Sequence, residues 1–433
     1  MVGDFDRYDM SRRPNRQLRA LTPVTWLLSF PKFYAHRARV NKDGMPAKLK
    51  PPYFLLCNHN SFMDFMIMTR AIFPNRANYV VAIDGFIGIS WLLRAVGGIC
   101  NRKFTRSVSL VRNMLHARDN GDIVVLFPEA RYSLCGTTAV LPESLGKMIR
   151  KMNVPVVTLI MHGHHINSPF WHVGSRKVRP VESEMNLLFT REETQELPVD
   201  EINARLIGAF RYDDYAWQKA GNVRVKNKRR AEGLHKVLYQ CPACFAEYKM
   251  TARGTELKCE NCGKAWDMSE VSVLLAKDGE TEFPHIPDWY EWERANVRRE
   301  VEAGTYSFSA KVRIESLPNA KGFVRFEEAG LLTHNMDGFT LTGVYDNEPF
   351  EEKWKPGLLH SCHIEYDYKG RGDCVDLNTN DDTFYLFPEG DEFSITKIAL
   401  ATEELHVLHL AQAGTDRNTK TMPRSAANGM PHE

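Results

Sequence analysis

The chain has 433 residues, of which 43% are hydrophobic and 25% charged, and its formal net charge is +2. This length predicts two or three domains. The composition is that of an ordinary soluble, folded protein, which excludes a disordered or fibrous chain, and the net charge by itself indicates no partner.

The charge is unevenly distributed along the chain. Residues 1–50 contain eleven basic and four acidic side chains, whereas residues 306–392 contain eight basic and seventeen acidic ones. Opposite charge at the two ends indicates that they face different surroundings.

The N-terminal part, 1–50, is predicted to be a basic membrane-interface segment. Lys and Arg side chains are attracted to anionic lipid, and apolar neighbours can enter the interface; these are Trp26, Leu27, Leu28 and Phe30. The alternative is a solvated arm followed by a core-packing helix. The apolar stretch 24–30 is too short and too late for a signal peptide, and it leads into Pro31 without a cleavage site.

The apolar stretch 79–100 has the length of a membrane span but contains Asp84, Arg94 and four glycines. Charged residues in a span are costly. We therefore expect a buried strand followed by a core helix.

Strands and helices alternate through 51–222, which we assign to a catalytic domain. The buried strands are YFLLCN, NYVVAID, DIVVLFP and VPVVTLIM, and the helices are 61–72, 88–96, 107–118 and 142–152. A further strand, MNLLF, and a helix follow. This alternation predicts an α/β domain with a mixed sheet flanked by helices.

The alternation of strands and helices ends at residue 222. A basic linker at 223–238 precedes a cysteine-rich segment at 239–270 and a linker helix at 288–304, for which Asp288 and Glu291 have capping-box spacing and Gly304 is the stop. Short alternating strands and a terminal helix over 305–411 predict a mainly antiparallel β domain, which resembles a pleckstrin-homology-like domain or a small barrel. The tail, 412–433, is predicted to be disordered.

Four of the nine cysteines occur as C-P-A-C and C-E-N-C with fourteen residues between the pairs. This spacing suits tetrahedral zinc in a closed, structural site, and the segment resembles a zinc ribbon. The predicted ligands are Cys241, Cys244, Cys259 and Cys262. Free structural thiols are the alternative. Without an export signal, the cysteines favour a cytoplasmic location.

The stretch N-H-N-S-F-M-D at 58–64 follows a predicted strand, and its S-x-x-D spelling marks a helix start. His59 then lies in the turn and Asp64 in the first helical turn, where the two side chains can meet. A histidine oriented by a carboxylate is an arrangement for general-base catalysis. The alternative is that Asp64 caps the helix and His59 is an ordinary loop histidine.

This stretch resembles the N-H-x-S-x-x-D signature of the glycerolipid acyltransferases, the family of bacterial 1-acylglycerol-3-phosphate acyltransferases. Three further blocks follow in the family's order: GGICNRK at 97–103, FPEARYS at 127–133 and V-P-V at 154–156. The resemblance covers roughly 50–190. It implies that His59 is the catalytic base and that Asp64 orients it. The substrate-binding positions that it implies are Asn58, Ser61, Arg102, Lys103, Glu129 and Arg131.

Two blocks depart from the family spelling, in which the third block usually reads F-P-E-G-T-R-S. Ala130 replaces the glycine, Arg131 comes one place early, and Tyr132 takes the arginine position. In the second block, Lys103 stands where the family arginine falls. A second pentapeptide, LFPEG at 386–390, is closer to the family spelling, but no histidine lies at the right distance, so it is interpreted as a turn between strands.

The resemblance implies an O-acyltransferase of phospholipid biosynthesis that is cytoplasmic and peripheral on the inner face of the membrane. The acyl donor would be a thioester of acyl carrier protein or coenzyme A, with no catalytic cofactor, and the acceptor a lysophospholipid such as 1-acylglycerol-3-phosphate. One alternative keeps the chemistry and changes the lipid acceptor. Another is a non-catalytic zinc-ribbon protein that binds nucleic acid or a partner. Nucleic acid is the less favoured ligand, and the acidic β domain suggests a protein contact. The cluster MHGHH at 161–165 raises a second metal as a minor alternative.

Overall fold

The computed structural model describes residues 2–172 and 174–420. Among these residues, one sheet of seven strands carries the predicted α/β domain. Its strands are β1 (Arg39–Asn41), β2 (Phe54–Cys57), β3 (Ala77–Ala82), β4 (Gly98–Asn101), β5 (Ile123–Leu126), β6 (Val156–His162) and β7 (Glu182–Phe189). Their order is β1-β7-β6-β2-β5-β3-β4, with β7 antiparallel to β6 and the other pairs parallel. This mixed sheet confirms the predicted fold class.

Helices connect the strands of the mixed sheet. They are α1 (Thr22–Ala35), α2 (Met63–Ala71), α3 (Ser90–Ala95), α4 (Val108–Asp119), α5 (Leu145–Met152), α6 (His164–Asn167), α7 (Arg191–Glu196), α8 (Val199–Ala209) and α9 (Asp214–Ala220). The central strand β2 is buried at every residue, as expected for a parallel strand with helices on both faces.

The apolar stretch 79–100 is confirmed as a strand followed by a helix. It contains the end of β3, a short 3-10 turn at Ile83–Phe86, the helix α3 and the beginning of β4. Within the part of the chain that the structure describes, none of the helices has the length and apolar character that crossing a membrane requires.

A four-stranded antiparallel sheet forms the cysteine segment. Its strands are β8 (Met250–Arg253), β9 (Glu256–Cys259), β10 (Ala265–Met268) and β11 (Leu274–Ala276). The helix α10 (Ile286–Glu302) follows and begins earlier than predicted, since Pro287 occupies its first turn and His285 is the N-cap. Asp288 and Glu291 therefore lie inside the helix, and the predicted capping box was wrong. Gly304 follows the helix with a φ of +68°, as a C-terminal stop requires.

The C-terminal sheet is antiparallel throughout and is followed by the helix α11 (Ile395–Lys420). Its strands are β12 (Phe308–Ser316), β13 (Val324–Arg325), β14 (Gly330–Asn335), β15 (Gly338–Tyr345), β16 (Glu348–Trp354), β17 (His363–Glu365), β18 (Cys374–Asn378) and β19 (Thr383–Pro388). The antiparallel sheet and terminal helix confirm the predicted class, and the closer resemblance to a pleckstrin-homology-like domain or barrel stays a prediction. The helix α11 includes 412–420, which was expected to be disordered, and 421–433 lie outside the described residues.

Buried charges connect the C-terminal sheet to the mixed sheet. The guanidinium of Arg102, just after β4, donates to the carbonyls of Leu317, Pro318 and Asp381 at 2.9 Å and to the Thr383 hydroxyl at 2.6 Å. These four bonds place the C-terminal sheet against the carboxyl end of β4. The two sheets therefore meet beside the edge at which the predicted catalytic residues lie.

Candidate active site

Three neighbouring parallel strands deliver the polar residues of the site to one edge of the mixed sheet. His164 follows β6, His59 follows β2, and Glu129 follows β5. Because these strands are adjacent and parallel, their carboxyl ends meet at the same edge. Binding and catalytic groups in open α/β sheets usually occupy this position.

His59 and Asp64 are in direct contact, as their spacing predicted. Nδ1 of His59 lies 3.0 Å from Oδ2 of Asp64. The same carboxylate oxygen accepts hydrogen bonds from the backbone N–H groups of Asn60 at 2.6 Å and Ser61 at 2.9 Å, so Asp64 also caps the turn. The Asp64 side chain therefore both caps the turn and orients His59.

A second histidine shares the Asp64 carboxylate. Nδ1 of His164 lies 2.6 Å from Oδ1 of Asp64, and both side chains are fully buried. Burial alone raises the pKa of Asp64, but hydrogen bonds from His164 and His59 outweigh it and lower that pKa to about 2. An ionised carboxylate can only accept hydrogen bonds, so both imidazoles donate from Nδ1. In a neutral imidazole with this tautomer, Nε2 of His59 carries the lone pair.

Glu129 holds the backbone of the turn that contains His59. Its Oε1 accepts from the His59 N–H at 3.1 Å, and its Oε2 accepts from the Ala139 N–H at 2.9 Å. The Tyr212 hydroxyl lies 3.4 Å from Oε2 and closer, at 3.1 Å, to Oδ1 of Asn60. The side chain is buried, and burial raises the pKa of Glu129 to about 8. In this structure Glu129 therefore positions His59 through its main chain.

Aromatic side chains surround the His59 ring. The ring centroids of Phe127 and Tyr132 each lie 4.3 Å from that of His59. Between them in sequence, Ala130 has a φ of +54°, a left-handed conformation in which glycine is the least strained residue. This conformation gives a physical reason for the glycine in the usual family spelling.

The flanking residues Asn58 and Ser61 are both buried. The Asn58 amide exchanges two hydrogen bonds with the main chain of Met161, at 2.8 and 2.9 Å, and so extends the pairing of β2 with β6. The Ser61 hydroxyl has no hydrogen-bond partner among the described residues. The Asn58 side chain is thus hydrogen-bonded within the protein, whereas the Ser61 hydroxyl can still form a hydrogen bond.

The three predicted phosphate-binding cations have protein partners. Arg102 binds the C-terminal sheet, and buried Arg131 pairs with Glu403 of α11 at 2.5 Å. Lys103 is half-buried, and its Nζ lies 4.0 Å from Oδ2 of Asp376. Among the described contacts, both guanidinium groups are thus engaged with the C-terminal part of the protein and neither is hydrogen-bonded to His59.

The four predicted zinc ligands converge. Their sulfur atoms all lie within 4.8 Å of one another, and the Cys241–Cys262 and Cys244–Cys259 pairs are each 3.7 Å apart. A tetrahedron with metal–sulfur bonds of about 2.3 Å has edges of about 3.8 Å. The cluster is therefore the right size for one zinc ion.

His164 was not predicted as part of the site, because it occurred in the MHGHH cluster, for which a metal was considered. The usable signal was its place directly after a strand. A histidine after β6 and a histidine after β2 must lie close together if the two strands are parallel neighbours. That pairing joins residues about a hundred positions apart and was not readable from the chain.

Comparisons with known proteins give a family match and a similar solved structure. Residues 37–162 match the family model described as Acyltransferase. The crystal structure of the 1-acyl-sn-glycerophosphate (LPA) acyltransferase PlsC from Thermotoga maritima is similar at 18% identity and a TM-score of 0.33, over 44% of this chain and 79% of that one. No curated protein matches the chain. The stretch that matches the acyltransferase family model thus includes His59, Asp64 and Glu129.

Proposed function

We propose that this protein is an O-acyltransferase that moves a fatty acyl group from a thioester to a hydroxyl of a lysolipid, with His59 as the general base. The observation that supports the proposal is the 3.0 Å contact between His59 Nδ1 and Asp64, inside an acyltransferase-family domain. The donor would be acyl carrier protein or coenzyme A. The acceptor would be 1-acylglycerol-3-phosphate or another lipid with a free hydroxyl.

The reaction begins with the free Nε2 of His59, which accepts the proton of the acceptor hydroxyl. The oxygen attacks the thioester carbonyl, the C–S bond breaks, and the new ester C–O bond forms. The imidazolium then returns the proton to the departing thiolate, so the products are an ester and a free thiol. Asp64 stabilises the imidazolium and keeps Nδ1 protonated throughout.

His164 and Glu129 act on the catalytic residues and not on the substrate. His164 binds the carboxylate oxygen of Asp64 that His59 does not use, which fixes the rotation of that carboxylate. Glu129 fixes the main chain of His59. We propose that both are positioning residues, because a base must lie within hydrogen-bond reach of the hydroxyl.

We also propose that Cys241, Cys244, Cys259 and Cys262 bind a structural zinc ion. All four ligand positions of the tetrahedron are filled by protein, so the ion would have no open position for substrate. The zinc would hold the segment before β8 against the β9–β10 hairpin and take no part in acyl transfer.

The helix α1 supports a peripheral membrane location, which we propose to be on the inner face. Leu27 and Leu28 are 73% and 68% exposed, whereas Trp26 and Phe30 turn toward the protein and pack on Phe73. We propose that the exposed leucines enter the membrane interface. Two of the four apolar residues predicted for this contact thus face the protein.

Replacement of the base tests the proposed reaction. His59→Ala should lower kcat/KM for acyl transfer by about a thousandfold, because general-base catalysis typically contributes a factor of this size. Products are identified by mass spectrometry after incubation with a labelled acyl thioester and a panel of lysolipids. The control is His116→Ala, a half-buried histidine on α4. Turnover by His59→Ala at the wild-type rate would contradict the mechanism.

The zinc proposal predicts about one zinc ion per purified chain. Cys262→Ser should lose the ion and lower the thermal unfolding temperature, because Cys262 is an exposed ligand and its replacement removes little packing. Metal content is measured by mass spectrometry and stability by calorimetry. Cys100→Ser, a buried cysteine outside the cluster, should keep the zinc. The assignment would be refuted if the wild-type protein contained no zinc and unfolded at the same temperature as Cys262→Ser.

The double change Leu27→Glu and Leu28→Glu should reduce binding to phosphatidylglycerol vesicles by about tenfold or more, because each leucine contributes about 1.5–3 kcal/mol on burial. Co-sedimentation gives the bound fraction. The matched control is Val407→Glu, an apolar residue on α11 that is 57% exposed. Equal binding by the wild type and the double variant would exclude α1 as the contact.

A further inference from the structure

Aromatic side chains connect His59 to the C-terminal sheet. The ring of Tyr132, which contacts His59, lies 5.6 Å from Phe170, and Phe170 lies 5.3 Å from Tyr366 and 6.4 Å from His363. A surface of the C-terminal sheet therefore lies on one side of His59, beyond the rings of Tyr132 and Phe170. His59, Tyr132 and Phe170 each keep part of their surface exposed.

Three carboxyl groups act electrostatically on Lys103, which follows β4. Glu365 projects on the same side of β17 as His363, whose Nε2 lies 2.9 Å from Oε1 of Glu365. Asp376 lies opposite His363 on β18. Asp84 comes from the turn after β3. We call Asp84, Glu365 and Asp376 the acidic cluster.

The acidic cluster has too few cations to balance it. Lys103 is the nearest one; burial lowers its pKa, but Asp84, Asp376 and Glu365 outweigh burial and raise it. Burial lowers the pKa of His363 to about 3, so that imidazole is neutral at pH 7. Lys369 is exposed, with its ammonium over the rings of Tyr368 and Phe323 at 5.0 and 5.5 Å. Among the described residues, the three carboxyl groups thus share one half-buried cation.

Two carboxyl groups of the cluster, those of Asp376 and Glu365, are incompletely compensated by the described residues. Oδ1 of Asp376 is buried and has no hydrogen-bond partner among the described residues, although Asp376 is only 2% exposed. Burial raises the pKa of Glu365 to about 7, which means that its charged form lacks compensation. A bound ammonium group would donate to both carboxyl groups and supply the charge.

The basic residues that were expected to hold a phosphate are engaged with other groups of the protein. Arg102 uses its guanidinium on four acceptors of the C-terminal sheet, and Arg131 pairs with Glu403. Lys103 faces the acidic cluster. A phosphomonoester placed here would meet three carboxyl groups and a single ammonium, which is an unfavourable balance of charge.

We propose that the acidic cluster binds an amine-bearing headgroup, so that the acceptor is a cationic lysolipid and not a phosphomonoester. This inference rests on the proposed function for the transfer of the acyl group, but the headgroup site is defined by its own residues. The amine would lie between Glu365, Asp376 and Asp84, and the free hydroxyl of the lipid would extend past Tyr132 to His59.

Three matched lipids test the charge preference of the site. The first is 1-oleoylglycerol with a 3-aminopropyl ether at position 3, the second is 1-oleoylglycerol, and the third is its 3-phosphate. Each is titrated against the full chain in neutral detergent micelles without an acyl donor, and calorimetry gives Kd. The amine lipid should bind about tenfold more tightly than the phosphate lipid, because one unit charge is attracted in the first case and repelled in the second.

Variants assign the preference to the cluster. Glu365→Gln should weaken binding of the amine lipid about tenfold and change binding of the neutral lipid little. Asp84→Asn, on a part-exposed turn, should act in the same direction, and it decides the matter if Glu365→Gln fails to fold. Lys103→Met should not weaken binding of the amine lipid. The control is Glu328→Gln, an exposed acid elsewhere on the C-terminal sheet.

Tighter or equal binding of the phosphate lipid would overturn the inference, as would amine binding that neither acidic variant weakens. Acyl transfer is measured afterwards with the same three lipids. Preference for the amine lipid in binding without any acyl transfer would support the headgroup site and refute the proposed function. Efficient transfer to the phosphate lipid together with its tighter binding would support the proposed function and refute the headgroup site.

Discussion

The buried carboxylate of Asp64 is the interaction on which the site depends. It accepts hydrogen bonds from two imidazoles and two backbone N–H groups, and each of these groups belongs to a segment of the proposed site. A buried charge is costly unless it is fully paired, so the turn after β2 and the end of β6 are held together by the need to satisfy it. The orientation of His59 follows from the same bonds.

The C-terminal sheet is the second determinant of the site. It binds Arg102 and, through α11, Arg131, and these are the two arginines of the family-like blocks. The contact changes what each arginine does, because a guanidinium with buried protein acceptors is not free to bind a substrate anion. The C-terminal sheet also adds Glu365 and Asp376 beside Lys103. The added domain therefore alters the charge of the region in which the headgroup would lie.

Sequence reasoning succeeded where the determining contacts are local. The approach of His59 to Asp64 spans five residues across a helix start, and the four cysteines lie within two short turns of one small sheet. The second pentapeptide, LFPEG, was correctly distinguished from the family-like block FPEARYS. However, it ends β19 and leads to the helix α11, so it is a turn from strand to helix and not between strands.

Sequence reasoning failed where the contact joins distant parts of the chain. Arg102 binds residues more than two hundred positions away, and His164 reaches Asp64 across a hundred. Neither pairing leaves a periodic or spacing signal. The start of α10 was missed for a different reason, since a plausible capping box at Asp288 competed with the stronger effect of Pro287 in the first turn.

The central claim is that Asp64 holds His59 with Nδ1 protonated and Nε2 free. Nitrogen-15 NMR of the imidazole rings, with His59→Gln and His164→Gln used to assign the signals, measures this directly. The account predicts that neutral His59 and His164 both carry their proton on Nδ1, and that Asp64→Asn abolishes this preference in both rings. A proton on Nε2 of neutral His59 in the wild-type protein would contradict it, because that nitrogen could not then accept the proton of a hydroxyl.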